Sequence, residues 1–279
     1  MNDWKLNAFA DEASSMIDQQ IKALKRNGLQ GLEIRSVDGE SISSISFEKA
    51  REVRQKMDDA GLSVWSLGSP IGKIGIEDPF EPHLELLKHT IDLAHELGSQ
   101  RIRMFSFYIP QGARPEDYRT AVMDRMGKML ETAKNTGVML CHENEKGIYG
   151  DIAVRCKDLH ETFSELRGIF DPANFIQSGQ ETWSAWELLK DHVDYLHIKD
   201  ALADGSVVPA GKGIGRVAEI VKEYEGRGGR SLTIEPHLKV FDGLKALERE
   251  GETSQLGRYV YETNDQAFDA ACEALKALL

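Results

Sequence analysis

Four short segments in the second half of the sequence carry side chains able to hold a metal ion. They are His142-Glu143-Asn144-Glu145, Phe170-Asp171-Pro172-Ala173-Asn174-Phe175, His197-Ile198-Lys199-Asp200 and Ile234-Glu235-Pro236-His237. Each continues an apolar, strand-like run. If those runs end at one rim of a sheet, Glu143, Asp171, His197 and Glu235 meet as three carboxylates and one imidazole. Such an oxygen-rich set suits Mn²⁺, Mg²⁺ or Co²⁺ better than a thiolate or multi-histidine zinc site, and leaves zinc open. Three carboxylates buried together without a cation would be costly, and one would be expected to take up a proton. Taken singly, each residue has a plainer reading. Asp171 before Pro172 reads as a helix or turn cap, a lone histidine at a strand end as a hydrogen-bonded structural residue, and Glu235 as half of an ion pair. The joint pattern at four successive strand ends favours the metal.

Around these four stand weaker candidates. Asn174 follows Asp171 by three residues, Lys199 shares the strand parity of His197, and His237 shares that of Glu235. Lys73 lies in the loop Ser69-Pro70-Ile71-Gly72-Lys73. All four are candidate substrate contacts; loop or surface roles are the alternative for each. Arg35 and Arg103 end earlier strand-like runs and read as ion-pair members of a barrel. His142 has the opposite parity to Glu143 and reads as structural. Trp65 points inward or outward depending on register, which the sequence leaves open. The glycine-rich segment Pro209-Ala210-Gly211-Lys212-Gly213-Ile214-Gly215 lacks the Gly-x-x-x-x-Gly-Lys-Ser/Thr spacing of a phosphate loop, and a substrate-covering loop or plain turn is expected.

The elements that must position these residues repeat along the chain. Helical stretches end at Gly28, Gly61, Gly98 and Gly137, and a strand-like run follows each. Glycine suits the left-handed position that terminates a helix. Apolar stripes with helical period include Phe80, Leu84, Leu87, Ile91, Ala94 and Leu97, and Tyr118, Val122, Met126, Met129 and Ala133. Asp78-Pro79 predicts the start of the helix carrying the first of these, with Asp78 as its cap. Eight strand-like runs emerge, at 5–10, 29–35, 62–67, 101–107, 138–143, 167–171, 193–198 and 231–235, and 265–279 predicts a terminal helix. Eight strands alternating with helices predict an α/β fold, a closed (β/α)8 TIM barrel formed as one domain over residues 1–279. No Gly-x-Gly-x-x-Gly follows the first run, which argues against an open dinucleotide-binding sheet. In such a barrel the active site lies at the C-terminal ends of the strands, where the four candidate ligands fall. Side chains two apart share a strand face, so Met139 and Cys141 go inward with Glu143, Tyr195 with His197, and Thr233 with Glu235.

Composition narrows the partners. The chain of 279 residues has a formal net charge of −12 and a sequence pI near 5.2. An acidic surface repels phosphate backbones and anionic lipid, so neither nucleic acid nor membrane is expected. Three widely spaced cysteines, Cys141, Cys156 and Cys272, with no Cys-x-x-Cys pair, argue against a disulfide framework or a thiolate zinc site. The first residues lack the basic-then-apolar run of a signal peptide. A cytoplasmic location is the expectation.

At these residues the sequence resembles the xylose isomerase-like TIM-barrel superfamily, which includes ketose 3-epimerases of the D-tagatose type, 2-keto-myo-inositol dehydratase, hydroxypyruvate isomerases and endonuclease IV. The order Glu, Asp, His, Glu on strands five to eight is that family's metal set and falls here on Glu143, Asp171, His197 and Glu235. The resemblance implies a divalent ion, usually manganese, chelated by two adjacent oxygens of a hydroxy-ketone. It implies a sugar or keto-polyol isomerase or epimerase working by proton abstraction next to a carbonyl through a metal-stabilised enediolate. Glu143 and Glu235 would then be ligands and also the acid/base pair. A dehydratase using the same enolate remains open. An endonuclease IV-like phosphodiesterase needs extra histidines and a basic face, against eight histidines and a charge of −12. A non-catalytic carbohydrate-binding barrel is the third class. Two departures are plain. The 3-epimerases carry a histidine where this chain has Asn174, and an arginine where it has Ala203. The substrate is therefore not transferred beyond a small carbohydrate. A homo-oligomer is expected by analogy only.

Overall fold

The computed structural model describes residues 3–242, 244 and 259–279. Eight parallel strands close on themselves: β1 (Lys5–Ala8), β2 (Gly31–Ile34), β3 (Ser63–Leu67), β4 (Arg101–Met104), β5 (Met139–Glu143), β6 (Arg167–Phe170), β7 (Val193–Ile198) and β8 (Ser231–Ile234). Each pairs with its neighbour in chain order, and β1 closes the ring on β8 from Lys5↔Ser231 to Ala8↔Ile234. The predicted (β/α)8 barrel is the fold. The predicted span of 1–279 includes residues 1–2, 243 and 245–258, which lie outside the described residues.

The strands fall inside the predicted runs, but several stop sooner. The run 101–107 pairs only to Met104. Phe105 and Phe107 stay fully buried, yet Phe107 takes φ 67, so the chain leaves the sheet while remaining in the core. Hydrophobicity alone does not mark where pairing ends.

The helices form the outer layer: α1 (Ile17–Arg26), α2 (Phe47–Asp59), α3 (Glu81–Leu97), α4 (Arg119–Ala133), α5 (Ala153–Thr162), α6 (Pro172–Gln177), α7 (Thr182–Leu189), α8 (Val217–Gly226) and α9 (Asn264–Lys276). Their apolar stripes bury against the barrel, as with Leu87, Ile91, Ala94 and Leu97 of α3. Gly98 ends α3 at φ 70, and Gly28, Gly61 and Gly137 hold the same left-handed conformation. One predicted start is corrected. Asp78 does not cap α3; the helix begins at Glu81, with Phe80 in the cap position and no side-chain cap bond. Asp78 Oδ2 instead accepts the Gly75 N–H at 2.7 Å. Pro79 and Pro82 both suit a helix start, and the tight turn at Gly75 offers Asp78 a nearer donor.

Strand alternation fills the interior as predicted. Cys141, Ile169 and Tyr195 pack together inside, with Met139 and Trp65 against them. Trp65 therefore faces inward, its ring edge-on to Tyr195 at 5.8 Å. Among the described residues no helix is long and apolar enough to cross a membrane.

Candidate metal centre

Strands β5 to β8 deliver the four predicted ligands to one rim. Glu143 ends β5, Asp171 follows β6, His197 is the penultimate residue of β7, and Glu235 follows β8. One ligand atom from each lies within 4.8 Å of the others, and all four residues are buried. His197 Nδ1 is 2.9 Å from Glu143 Oε1 and 3.8 Å from Glu235 Oε2.

Asp171 caps a helix, as one reading of its sequence suggested, and its second oxygen turns toward the cluster. Its Oδ1 accepts the Asn174 N–H at 2.9 Å and caps α6. Its Oδ2 is buried and makes no aligned hydrogen bond. Asn144 brackets the backbone here, accepting the Asp171 N–H and donating to the Asp171 carbonyl. The short helix α6 thus begins where the strand ends because one carboxylate oxygen is spent on the cap. The other faces the cluster, with Lys199 Nζ 3.1 Å away.

The weaker candidates gather round the same carboxylates. Lys199 Nζ sits 2.9 Å from Glu235 Oε2 and 3.1 Å from Asp171 Oδ2. Asn174 Nδ2 donates to Glu143 Oε1 at 3.3 Å and to the Asn144 carbonyl at 2.9 Å. His237 Nδ1 lies 3.4 Å from Glu235 Oε1. Lys73 stands further out, paired with Glu145 at 2.8 Å and over the Phe105 ring. Arg35 and Arg103 are ion-pair members, as their strand-end positions predicted, and their partners include the cluster itself, Arg35 also pairing with Asp11 and Glu12. Arg35 Nη1 is 3.3 Å from Glu235 Oε1, and Arg103 Nη1 is 3.2 Å from Glu143 Oε2. His142 points outward and meets Ser106 Oγ at 2.9 Å.

The charges set the protonation of the protein alone. Burial works against an imidazolium at His197, but Glu143 and Glu33 outweigh it and raise the group to about 10. Burial would raise Glu143, and His197 and Arg103 overcome it and hold the carboxyl low. Glu235 is likewise held low, chiefly by Lys199 against its burial. Asp171 moves up, because burial and the nearby Glu235 and Glu143 outweigh Lys199. Glu143 Oε2 and Asp171 Oδ2 are buried and make no aligned hydrogen bond, each facing one cation, Arg103 at 3.2 Å and Lys199 at 3.1 Å. Hard oxygen donors with one imidazole, converging within 4.8 Å, fit a divalent cation.

A profile of the xylose isomerase-like TIM barrel family matches residues 21–250. The chain belongs to that family. No curated protein matches the sequence. Among solved structures the barrel is similar to a probable 3-DHS dehydratase from Bacillus anthracis, at 15% identity, TM-score 0.74 and 99% coverage of each chain. It is similar to an L-ribulose 3-epimerase at 18% identity and TM-score 0.73, over 100% of this chain and 95% of the other. A third likeness is to the IOLI protein with a bound zinc atom, at 15% identity and TM-score 0.72, over 98% and 97% of the two chains. At such identities the likeness shows the fold.

For this member of the xylose isomerase-like family, the sequence reading missed Asp11 and Glu12, which follow β1, and the carboxylate that grips His197. Glu33 on β2 is fully buried inside the barrel. Its Oε2 lies 3.2 Å from His197 Nε2, and its Oε1 accepts the Tyr195 hydroxyl at 2.8 Å. His197 is thereby gripped from behind, with Nδ1 turned to the cluster. The available signal was a carboxylate at an inward position of an otherwise apolar run, Leu32-Glu33-Ile34. A cavity of about 260 Å³ opens beside the cluster, lined by Asp11, Arg35, Ser36, Lys73, Arg103 and Asp242 among others. The glycine-rich segment is not a phosphate cradle. Its Gly211, Gly213 and Gly215 N–H groups bind the buried Asp200 carboxylate, at 2.9, 3.0 and 2.9 Å.

Proposed function

We propose that this protein is a divalent-metal-dependent sugar isomerase or epimerase acting on a small keto-sugar or keto-polyol. The carrying observation is the convergence of Glu143, Asp171, His197 and Glu235 within 4.8 Å at the strand ends of a family barrel. These four would hold the ion, with manganese the expected metal. When bound, it supplies positive charge beside the substrate carbonyl and lowers the cost of removing the neighbouring proton.

The chain's own residues supply the rest. Glu143, kept ionised by His197 and Arg103, is placed to take the proton next to the carbonyl. The bonding pair of that C–H passes into the enediolate, and Glu235, after taking a proton from Lys199 at 2.9 Å, passes it to carbon, while Glu143 and Lys199 exchange theirs with solvent. Lys199, 2.9 Å from Glu235, is placed to donate a hydrogen bond to a substrate oxygen at the same rim. The adjoining cavity offers the rest of the molecule a mixed wall, with Ser15, Ser36, Ser41 and the ion-paired Arg35 and Lys73 among apolar and glycine surface. Asn174, His237 and Lys73 complete the proposed substrate surroundings, Asn174 by holding Glu143 in place.

The test is manganese-loaded protein in deuterated water with a panel of ketoses and keto-inositols, followed by NMR. Deuterium in recovered or epimerised sugar without loss of water supports the proposal, whereas loss of water makes the enzyme a lyase. Glu143→Gln should lower the exchange by about 10³-fold, within the usual range for removing a general base. Undiminished turnover in that variant would reject the assignment.

A further inference from the structure

Among the described residues a second group able to hold a metal lies beside the first: Glu12, Glu235 and His237, all buried, with ligand atoms within 4.8 Å of one another. Glu235 belongs to both groups and divides its oxygens between them. Its Oε2 faces Lys199 and His197 of the first. Its Oε1 faces His237 Nδ1, 3.4 Å away. His237 Nδ1 is also 3.4 Å from Glu12 Oε1. Glu12 is fixed in that orientation because its other oxygen, Oε2, accepts the His237 backbone N–H at 2.6 Å.

The imidazole is the telling member. His237 is only 9% exposed, and its Nδ1 is buried with no hydrogen-bond partner. A buried ring nitrogen aimed between two carboxylate oxygens and bonded to neither is costly unless something completes it. Arg35 does not balance the charge. It reaches Glu12 Oε1 at 3.1 Å and Glu235 Oε1 at 3.3 Å, but it is also forked on Asp11 at 2.9 and 3.0 Å. One guanidinium thus serves three buried carboxylates. Glu235 has Lys199 besides, and Lys199 is shared with Asp171.

We propose that Glu12, Glu235 and His237 form a second divalent-cation site, bridged to the first through the Glu235 carboxylate. Two carboxylates and one imidazole suit borderline ions such as Mn²⁺, Co²⁺ or Zn²⁺. The site sits between the ends of β1 and β8, the strands that close the barrel.

The inference extends the reading of the first cluster as a cation site, and one experiment separates them. Manganese chloride is titrated into chelator-stripped full-length protein. Bound metal is counted by equilibrium dialysis, and electron paramagnetic resonance reports whether the ions are coupled. The parent protein should bind two Mn²⁺ per chain with the spectrum of a coupled pair. Glu12→Gln and His237→Asn should each bind one and show the spectrum of an isolated ion. Asparagine is chosen because His237 has φ 43, a region asparagine tolerates. If Glu12→Gln fails to fold, His237→Asn decides alone. One ion per chain in the parent, unchanged in the variants, overturns the second site and leaves the first. Two coupled ions persisting in His237→Asn also overturn it. No bound metal at all rejects both sites.

Discussion

At His197 the two ring nitrogens have different duties, and Glu33 is what separates them. Nε2 faces Glu33 at 3.2 Å, and Nδ1 faces Glu143 at 2.9 Å. A carboxylate behind a metal-binding histidine fixes its ring orientation and tautomer and makes it a better donor. Replacing Glu33 by Gln keeps the shape but turns an amide N–H₂ toward one of its two partners, Tyr195 or His197. Affinity for Mn²⁺ should fall about 10–100-fold, as is usual when such a partner is lost. Competition against a chromogenic chelator measures it, and unchanged affinity would exclude the positioning role. The convergence of the four candidate ligands was legible because their types are rare at successive strand ends. Glu33 was not, because a buried glutamate in mid-strand gives no sign of its partner. That partner lies 164 residues away.

The elements explain why the rim is rigid. Asp200, fully buried after β7, accepts from the Ala201 N–H and from three glycine N–H groups of the following loop. The glycines are required by space as well as by the turn. A Cβ at Gly213 would stand 2.3 Å from the Ala201 carbonyl oxygen and 2.3 Å from Asp200 Oδ1. Asp200→Asn replaces one acceptor oxygen with an amide facing the same donors. It should cost about 3 kcal/mol, the scale of lost hydrogen bonds to a buried charge with donors left unpaired. The expected result is a lower melting temperature together with faster proteolytic cleavage within residues 209–215. Equal melting and cleavage would show the cradle to be dispensable. From sequence this loop could be separated from a phosphate loop by spacing, but the anion it wraps was invisible. The cradle forms only when the ribbon Asp200–Ala201 with Val207–Val208 folds the glycines back.

For the whole molecule, acid should be destabilising through histidines remote from the metal centre. His83 accepts the Gly72 N–H at 2.7 Å, and burial lowers it to about 4. Burial beside His192 likewise lowers His160 to about 4. Both are therefore neutral in the fold and take up a proton near 6.5 when unfolded. Between those values the unfolded chain binds more protons, so stability rises with pH and is lost on acidification. The slope is about 1.4 kcal/mol per pH unit for each imidazole. Urea unfolding from pH 7.5 to 5, with chelator present, should show it, and His83→Gln should reduce the slope by the contribution of one imidazole. A variant whose slope matches the parent's would rule His83 out. The sequence by itself determined the repeat of strand and helix, the closed barrel, and the four residues at its C-terminal rim. Local period, helix-ending glycines and the parity of side chains along a strand are written in neighbouring residues. Only the tertiary structure decided which charges meet. Arg35 reaches Glu235 across 200 residues of chain because β1 and β2 follow β8 around the closed ring. Glu12 and His237 meet for the same reason, 225 residues apart. Ring closure and register, set by packing over the entire interior, bring such pairs together, and no local pattern encodes them.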